Sequence, residues 1–284
     1  LNRVPWTTNG YYYSGNDQPG RHPYHEAGVY YIQEPSAMAP AEYLMAEPGE
    51  RILDLCAAPG GKSTQIACSM QGEGLIVCNE IHPARAKILS ENIERMGVCN
   101  ALVTNETPQK LSDNFREYFD RILVDAPCSG EGMFRKNEDA CDEWSPENVE
   151  NCAARQAEIL DCAAEMLKPG GRLVYSTCTF APAEDEGQIA AFLAKHPAFT
   201  LCDLSGCGFG RPGEENRAPA DFPAEYCRRI WPADGGEGHF MAKLQKAADA
   251  DTPTPRKAKP AKALKAPAEW LDFAKAYFPA LAAC

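Results

Sequence analysis

No apolar run in the chain approaches the ~20 residues that a membrane-spanning helix needs, which excludes a transmembrane helix. Residues 1–20 lack both a basic start and an apolar stretch, so no signal peptide is expected and a cytoplasmic location follows. The first residue is Leu, not Met, so a processed or incomplete chain is expected. There is no Cys-x-x-Cys pair and no Cys/His zinc spacing, so no metal site is expected. Without a secretory signal, a disulfide framework is not expected either. Positive charge is scarce: 28 Lys and Arg face 40 Asp and Glu, for a net charge of −12. A dedicated nucleic-acid coat would need clustered cations to neutralise phosphates. The single cationic stretch is 252–267, with Arg256, Lys257, Lys259, Lys262 and Lys265 and no acid, which leaves −17 on the remainder.

What is present fits a soluble globular protein: 284 residues, 44% hydrophobic and 24% charged, enough for one large domain with additional pieces. The thirteen cysteines are expected mostly as small buried hydrophobes. Residues 1–40 are aromatic and polar with little period and read as extended or looped. From residue 49 the pattern is strand, turn, helix, repeated. Apolar strands are expected at 51–56, 74–80, 101–104, 121–125 and 172–178, with helices from 63, over 83–96, over 146–167 and over 184–195. Pro169-Gly170-Gly171 is expected to end the third of these helices. Residues 199–244 read as a closing hairpin. Continuously apolar strands alternating with helices predict an α/β, doubly wound, mostly parallel sheet with a carboxyl-terminal antiparallel hairpin. The domain plan is an aromatic segment at 1–48 packed on the core, a catalytic domain at 49–246, a basic Ala/Pro/Lys linker at 247–267 and an amphipathic helix at 268–284 around Trp270.

In such a sheet, ligands sit at the carboxyl ends of the strands. The first such end carries Asp54-Leu-Cys-Ala-Ala-Pro-Gly-Gly-Lys-Ser63. Gly60 and Gly61 admit a ligand close to the backbone at a helix N-terminus. The stretch is neither a Walker loop, since Cys56 stands where Gly is required, nor Gly-x-Gly-x-x-Gly. Glu80 ends the second strand, where a carboxylate can accept both hydroxyls of an adenosine ribose. Nicotinamide cofactors and S-adenosylmethionine both use such a group.

The reactive end is expected at Asp125-Ala-Pro-Cys128-Ser-Gly and Ser176-Thr-Cys178-Thr, each just past an adjacent strand. A thiol beside a methyl sulfonium suits methylation of carbon 5 of cytosine. Addition of a thiolate to carbon 6 turns carbon 5 into the nucleophile, and Asp125 is placed to hydrogen-bond ring nitrogen 3. The residues alone leave open which thiol attacks. Tyr11, Tyr12, Tyr13, Arg21, His22, Tyr24, His25 and Tyr30 form either part of a base-stacking surface or ordinary packing, and Arg135 and Lys136 are better placed for phosphate.

Gly28-Val-Tyr-Tyr-Ile-Gln-Glu34, the 54–63 stretch, Asp125-Ala-Pro-Cys-Ser-Gly130 and Ser176-Thr-Cys-Thr179 together resemble the Sun/Nop family of S-adenosylmethionine-dependent RNA (cytosine-5) methyltransferases. Glu131-Gly-Met-Phe-Arg-Lys136 resembles the bacterial branch acting on 16S ribosomal RNA. The resemblance covers about 28–244. It implies a Rossmann-like class I methyltransferase fold and S-adenosylmethionine held by Cys56, Ala57, Ala58, Pro59, Gly60, Gly61, Lys62, Glu80 and Asp125. It also implies Arg85 beside the cofactor, Lys62 and Asp125 facing the base, Cys178 as the nucleophile and Cys128 assisting release. A monomer acting on 16S rRNA or the small ribosomal subunit, without membrane contact, is expected. Two other readings stand beside it: a ribosome-assembly or RNA-binding factor without turnover, and an amine methyltransferase. The family's Asp two residues after Asn105 is Thr107 here, so no strong carboxylate contact to adenine is expected there. Its RNA-binding domains ahead of and behind the core are expected to be missing or reduced.

Overall fold

The structure, a computed structural model, describes residues 1–136, 138–250 and 266–278. It divides into two compact units, Leu1–Ala250 and Asp251–Cys284.

In the first unit the amino-terminal segment is not wholly looped. It contains the short helices α1 (Pro23–Glu26) and α2 (Ala39–Leu44), each with a proline in its first turn. The repeating part follows as β1 (Arg51–Asp54), α3 (Gly61–Met70), β2 (Leu75–Asn79), α4 (Pro83–Arg95), β3 (Ala101–Thr104), α5 (Pro108–Asn114), β4 (Phe119–Asp125), α6 (Glu138–Glu143), α7 (Pro146–Met166), β5 (Leu167–Thr177) and α8 (Glu186–Lys195). Four strands close the unit: β6 (Phe199–Leu201), β7 (Arg211–Pro212), β8 (Arg228–Ile230) and β9 (His239–Lys246).

The strands form one sheet in the order β3-β2-β1-β4-β5-β9-β8-β7, with β6 paired to β9. The first five are mutually parallel, and β9 runs antiparallel to β5, with β8 antiparallel to β9. This is the doubly wound, mostly parallel sheet expected, with antiparallel strands at the carboxyl end. Alternate side chains along each central strand enter different apolar layers. Ile122, Val124, Leu173 and Tyr175 join Leu160 and Ala163 of α7 on one face. Ile52, Ile76, Leu123 and Val174 join Ile66 of α3 and Leu89 of α4 on the other. Burial on both faces explains why these strands read as continuous apolar runs.

Three elements depart from the sequence reading. Helix α7 ends at Met166, and Pro169-Gly170-Gly171 lies inside β5 rather than in a turn. There the register of β4 on β5 jumps from Phe119↔Leu167 to Arg121↔Arg172. Pro169 has no N–H for the ladder and Gly170 has φ +75, so the strand bulges and continues. Helix α5 was not expected. Thr107 caps it, its hydroxyl accepting the Lys110 N–H at 3.3 Å. The cysteines are also less buried than expected. Of the twelve described, only Cys78, Cys152, Cys162 and Cys227 are buried, and all twelve are free thiols. Helix surfaces and loops hold most of the rest.

The second unit contains α9 (Ala268–Tyr277), on which the rings of Trp270, Phe273 and Tyr277 pack along one side in tilted contacts with centroids 5.0–5.9 Å apart. The greater part of the basic linker, 251–265, lies outside the described residues. Among the described residues no helix is long and apolar enough to cross a membrane, and no group of three or more His, Cys, Asp or Glu side chains is arranged to hold a metal ion.

Candidate active site

The carboxyl ends of β1, β2, β4 and β5 open into one cavity of about 870 Å³. Of the residues singled out in the sequence, Cys56, Ala58, Glu80, Arg85, Asp125, Cys128 and Cys178 line it. Ala57, Pro59, Gly60, Gly61 and Lys62 belong to the same stretch but do not line the cavity; a side chain at Gly60 would meet Leu89 and Asn92, and one at Gly61 would meet Tyr31 and Gln33. The Ala57 N–H donates to Asn79 O on β2 at 2.8 Å, and Asn92 of α4 donates to Pro59 O at 2.9 Å. Gly60 has φ +115, a conformation that a side chain would strain, and it turns the chain into α3.

Glu80 is buried at the end of β2. One carboxylate oxygen accepts the His82 N–H at 2.9 Å, and the other lies 3.3 Å from the Arg85 guanidinium. Arg85 also donates to Ala58 O at 3.0 Å, joining the β1 loop to α4. Ile81 follows Glu80 and lines the cavity with an exposed apolar surface. Thr107 lines the same wall.

At the other end, Lys62 Nζ lies 2.7 Å from Asp125 Oδ2. Ser176 Oγ donates to Asp125 Oδ1 at 2.7 Å, and His239 Nε2 from β9 lies 3.4 Å away. Burial pushes the Asp125 carboxyl up, but the Lys62 ammonium and His239 outweigh it and hold Asp125 well below the usual carboxylate range. Burial likewise draws Lys62 down, and Asp125 more than reverses this, so its pKa is raised. Behind this pair Asp54 is fully buried, with its Oδ2 accepting the Ser63 hydroxyl at 2.6 Å. Burial pushes its carboxyl up to about 7.

Parallel pairing of Asp125 with Ser176 brings the segments beyond β4 and β5 side by side. In consequence Cys128 Sγ and Cys178 Sγ lie 3.4 Å apart. The Gly132 N–H donates to Cys178 O at 2.8 Å. Glu131 accepts the Phe180 N–H at 2.8 Å and the Thr179 hydroxyl at 3.2 Å. The environment of the two thiols is unequal. The hydrogen bond from Cys128 is the largest influence on Cys178 and lowers its pKa. Burial and Asp125 oppose this, and the Lys62 ammonium assists it. Cys128 is raised by its hydrogen bond to Cys178, by burial and by the charge of Glu184. The pair therefore ionises first at Cys178, and a lowered thiol pKa is what makes a cysteine nucleophilic near neutrality.

Sequence reasoning missed Glu184, Glu131 and His239. Glu184-Asp185-Glu186 opens the helix expected over 184–195, yet all three of its acidic side chains are fully buried. Arg229 of β8 compensates two of them, at 2.9 Å from Asp185 and 2.5 Å from Glu186. Arg135 and Lys136 face Glu237, at 2.8 and 3.9 Å. Of the amino-terminal aromatics, Tyr12 is half-buried, while Tyr11, Tyr13 and Tyr24 are exposed.

Residues 41–245 match the family model "16S rRNA methyltransferase RsmB/F", and residues 1–35 match "N-terminal domain of 16S rRNA methyltransferase RsmF". A Vibrio vulnificus protein named ribosomal RNA small subunit methyltransferase F is 38% identical over 263 residues, covering 89% of this chain and 54% of the relative. The chain spans about half the length of the curated relatives it matches. A crystal structure of a methyltransferase homologue from Pyrococcus horikoshii superposes with a TM-score of 0.73 at 31% identity, over 86% of this chain and 77% of that one. NSun6 from the same organism, solved with SFG, gives 0.71 at 31% identity, over 81% and 56%. With more than half of its length inside one family model and its fold shared with those structures, the chain belongs to the RsmB/F family of 16S rRNA methyltransferases.

Proposed function

We propose that this chain transfers a methyl group from S-adenosylmethionine to carbon 5 of a cytosine in RNA, and that its substrate is 16S ribosomal RNA in the cytoplasm. The observation that carries the reading is the 3.4 Å approach of Cys128 and Cys178 on the wall of the same cavity that Glu80 and Cys56 line. The matching family model is named for 16S rRNA methyltransferases, a relative is named ribosomal RNA small subunit methyltransferase F, and the structural relative NSun6 was solved with SFG.

The site fits that methyl donor. The cavity volume lies within the range of small-molecule sites. The buried Glu80 carboxylate has lone pairs free beyond its bonds to His82 and Arg85 and would accept the ribose hydroxyls. The exposed side chain of Ile81 offers an apolar edge for adenine. Cys56 and Ala58 would border the donor. When bound, S-adenosylmethionine supplies a methyl on a sulfonium, an electrophile that a neutral cytosine carbon does not attack unaided.

The chain's own residues make up that deficit. Cys178, the thiol of lowered pKa, adds to carbon 6 and makes carbon 5 nucleophilic. Asp125, an ionised carboxylate fixed by Lys62, Ser176 and His239, accepts the cytosine amino group, and the Lys62 ammonium beside it donates to the negative charge that develops on the ring as Cys178 adds. After methylation a base removes the carbon 5 proton and the bond from carbon 6 to Cys178 breaks. The Cys128 S–H stabilises the departing thiolate. We assign this chemistry to residues 49–246, with 1–48 packed on that domain and the basic segment 247–267 leading to the helix at 268–284.

The reading is tested by incubating the full chain with 16S rRNA and methyl-tritiated S-adenosylmethionine, then digesting the RNA to nucleosides. Label in 5-methylcytidine is expected. Label in a methylated amine of protein or base, or none under conditions that saturate both substrates, would overturn it.

A further inference from the structure

Glu184 lies in the turn between β5 and α8, outside the cavity lining and fully buried. Its carboxylate accepts the Ser129 N–H at 3.0 Å, the Ser129 hydroxyl at 2.5 Å and the Gln156 amide of α7 at 2.8 Å. The second amide proton of Gln156 goes to Pro127 O at 3.0 Å. The chain on both sides of Cys128 is thereby fixed by one carboxylate–amide pair. Ser129 Oγ also lies 2.8 Å from Thr179 Oγ1. Ser129 follows Cys128 and Thr179 follows Cys178, so a single buried carboxylate joins the two segments that carry the sulfurs.

A buried carboxylate costs several kcal/mol unless it is paired and fully hydrogen-bonded. Among the described residues no cation pairs with Glu184: Arg229 is engaged with Asp185 and Glu186. Its carboxylate is met by the donors Ser129 and Gln156. A neutral side chain would brace the loops at lower cost, and the charge is what remains to be explained.

We propose that Glu184 is a positioning residue for the cysteine pair: through Ser129 and Thr179 it sets the separation of the sulfurs, and its charge beside Cys128 keeps the one proton they share on Cys128. The other proton of the pair has gone to solvent, leaving Cys178 as the thiolate. The proposal rests on the reading of Cys178 as nucleophile. The other groups facing the pair are Lys62 of α3, Asp125 at the end of β4 with His239 of β9 behind it, and Tyr175 of β5, while Cys152 of α7 faces Glu184. Asp185, beside Glu184, lies 2.9 Å from Arg229, and burial together with the charges of Glu186 and Glu184 pushes its carboxyl well above the usual range. Lys62 favours charge on Cys178 and Glu184 disfavours it on Cys128, so the two act in the same direction.

The test is iodoacetamide labelling of the full chain across pH 6–9 without RNA or methyl donor, with Cys128 and Cys178 quantified separately by peptide mass spectrometry. In the wild type Cys178 is expected to label at least tenfold faster than Cys128 at pH 7. In Glu184→Gln, which keeps the shape and removes the charge, that ratio is expected to fall about tenfold. Glu184→Asp, which retains the charge, should restore it in part. Equal labelling of the two thiols in the wild type would overturn the proposal, and needs no variant to fold. So would a ratio unchanged in a Glu184→Gln protein whose circular dichroism matches wild type. Because no methyl transfer is read, failure of the methyltransferase reading and failure of this proposal are separable.

Discussion

Asp125 and Ser176 stand opposite each other in parallel register on β4 and β5, joined by a 2.7 Å hydrogen bond from the Ser176 hydroxyl to the carboxylate. That single pairing places everything downstream of it. Three residues on from Asp125 comes Cys128, two on from Ser176 comes Cys178, and the two sulfurs meet because their strands are neighbours. The next strand over, β9, delivers His239 to the same carboxylate from the antiparallel side of the sheet.

The Lys62–Asp125 pair is predicted to support both stability and chemistry. Asp125 has a depressed pKa, so its contribution is present above the unfolded value near 4 and is lost as pH falls through its folded value. Lys62 is raised, so its contribution is present below about 10.4 and lost as pH rises beyond it. Lys62→Met should therefore destabilise the fold by roughly 2–4 kcal/mol between about pH 5 and 9, with the difference closing in acid. Urea unfolding of both proteins at pH 3, 5, 7 and 9 checks this; a difference that persists undiminished at pH 3 contradicts it.

Asp54 should behave in the opposite sense. Its carboxyl is raised to about 7, so the folded state binds a proton that the unfolded state has released, and stability falls as pH climbs from about 4 to 7. Asp54→Asn, which can still accept the Ser63 hydroxyl, should flatten this slope and be at least as stable as wild type at pH 8. Denaturation midpoints at pH 4.5 and 8 provide the comparison.

Gly132 approaches the Cys178 loop too closely for any side chain. A Cβ there would lie 2.8 Å from Cys178 O and 2.9 Å from Gly238 O, both backbone atoms. Gly132→Ala must move Cys178 and is expected to lower kcat at least tenfold while leaving the affinity for S-adenosylmethionine within twofold. Steady-state kinetics together with calorimetric titration of the methyl donor separate the two quantities.

Glu80→Ala removes the carboxylate assigned to the ribose hydroxyls. Loss of hydrogen bonds to a charged group weakens binding by about 1.5–3 kcal/mol, or roughly 10–100-fold in the dissociation constant of S-adenosylmethionine. Calorimetry without RNA measures it; unchanged affinity would move the ribose elsewhere in the cavity.

Much of this was legible in the chain itself. Strands β1 to β5 announce themselves because both faces are buried, and the residues at their carboxyl ends are the ones that gather at the cavity. Helix α5 was not read from the chain: Thr107-Pro108 is a start signal, but seven residues give no period to notice. The acidic run 184–186 was not legible. What buries it is Arg229, 43 residues away from Glu186, and the donors Ser129 and Gln156 from two other segments, none of which leaves a local signal. The bulge at Pro169-Gly170-Gly171 misled for a related reason. Turn residues permit a turn, whereas the pairing of β5 with both β4 and β9 draws the strand onward through them.

The central claim is that Cys178 forms the covalent bond to cytosine and Cys128 is needed to undo it. It is tested most directly by incubating Cys128→Ala and Cys178→Ala proteins with 16S rRNA and S-adenosylmethionine and resolving the products on a denaturing gel. The account predicts a protein–RNA adduct that survives denaturation with Cys128→Ala, and neither adduct nor 5-methylcytidine with Cys178→Ala. A Cys178→Ala protein that still methylates the RNA would contradict it.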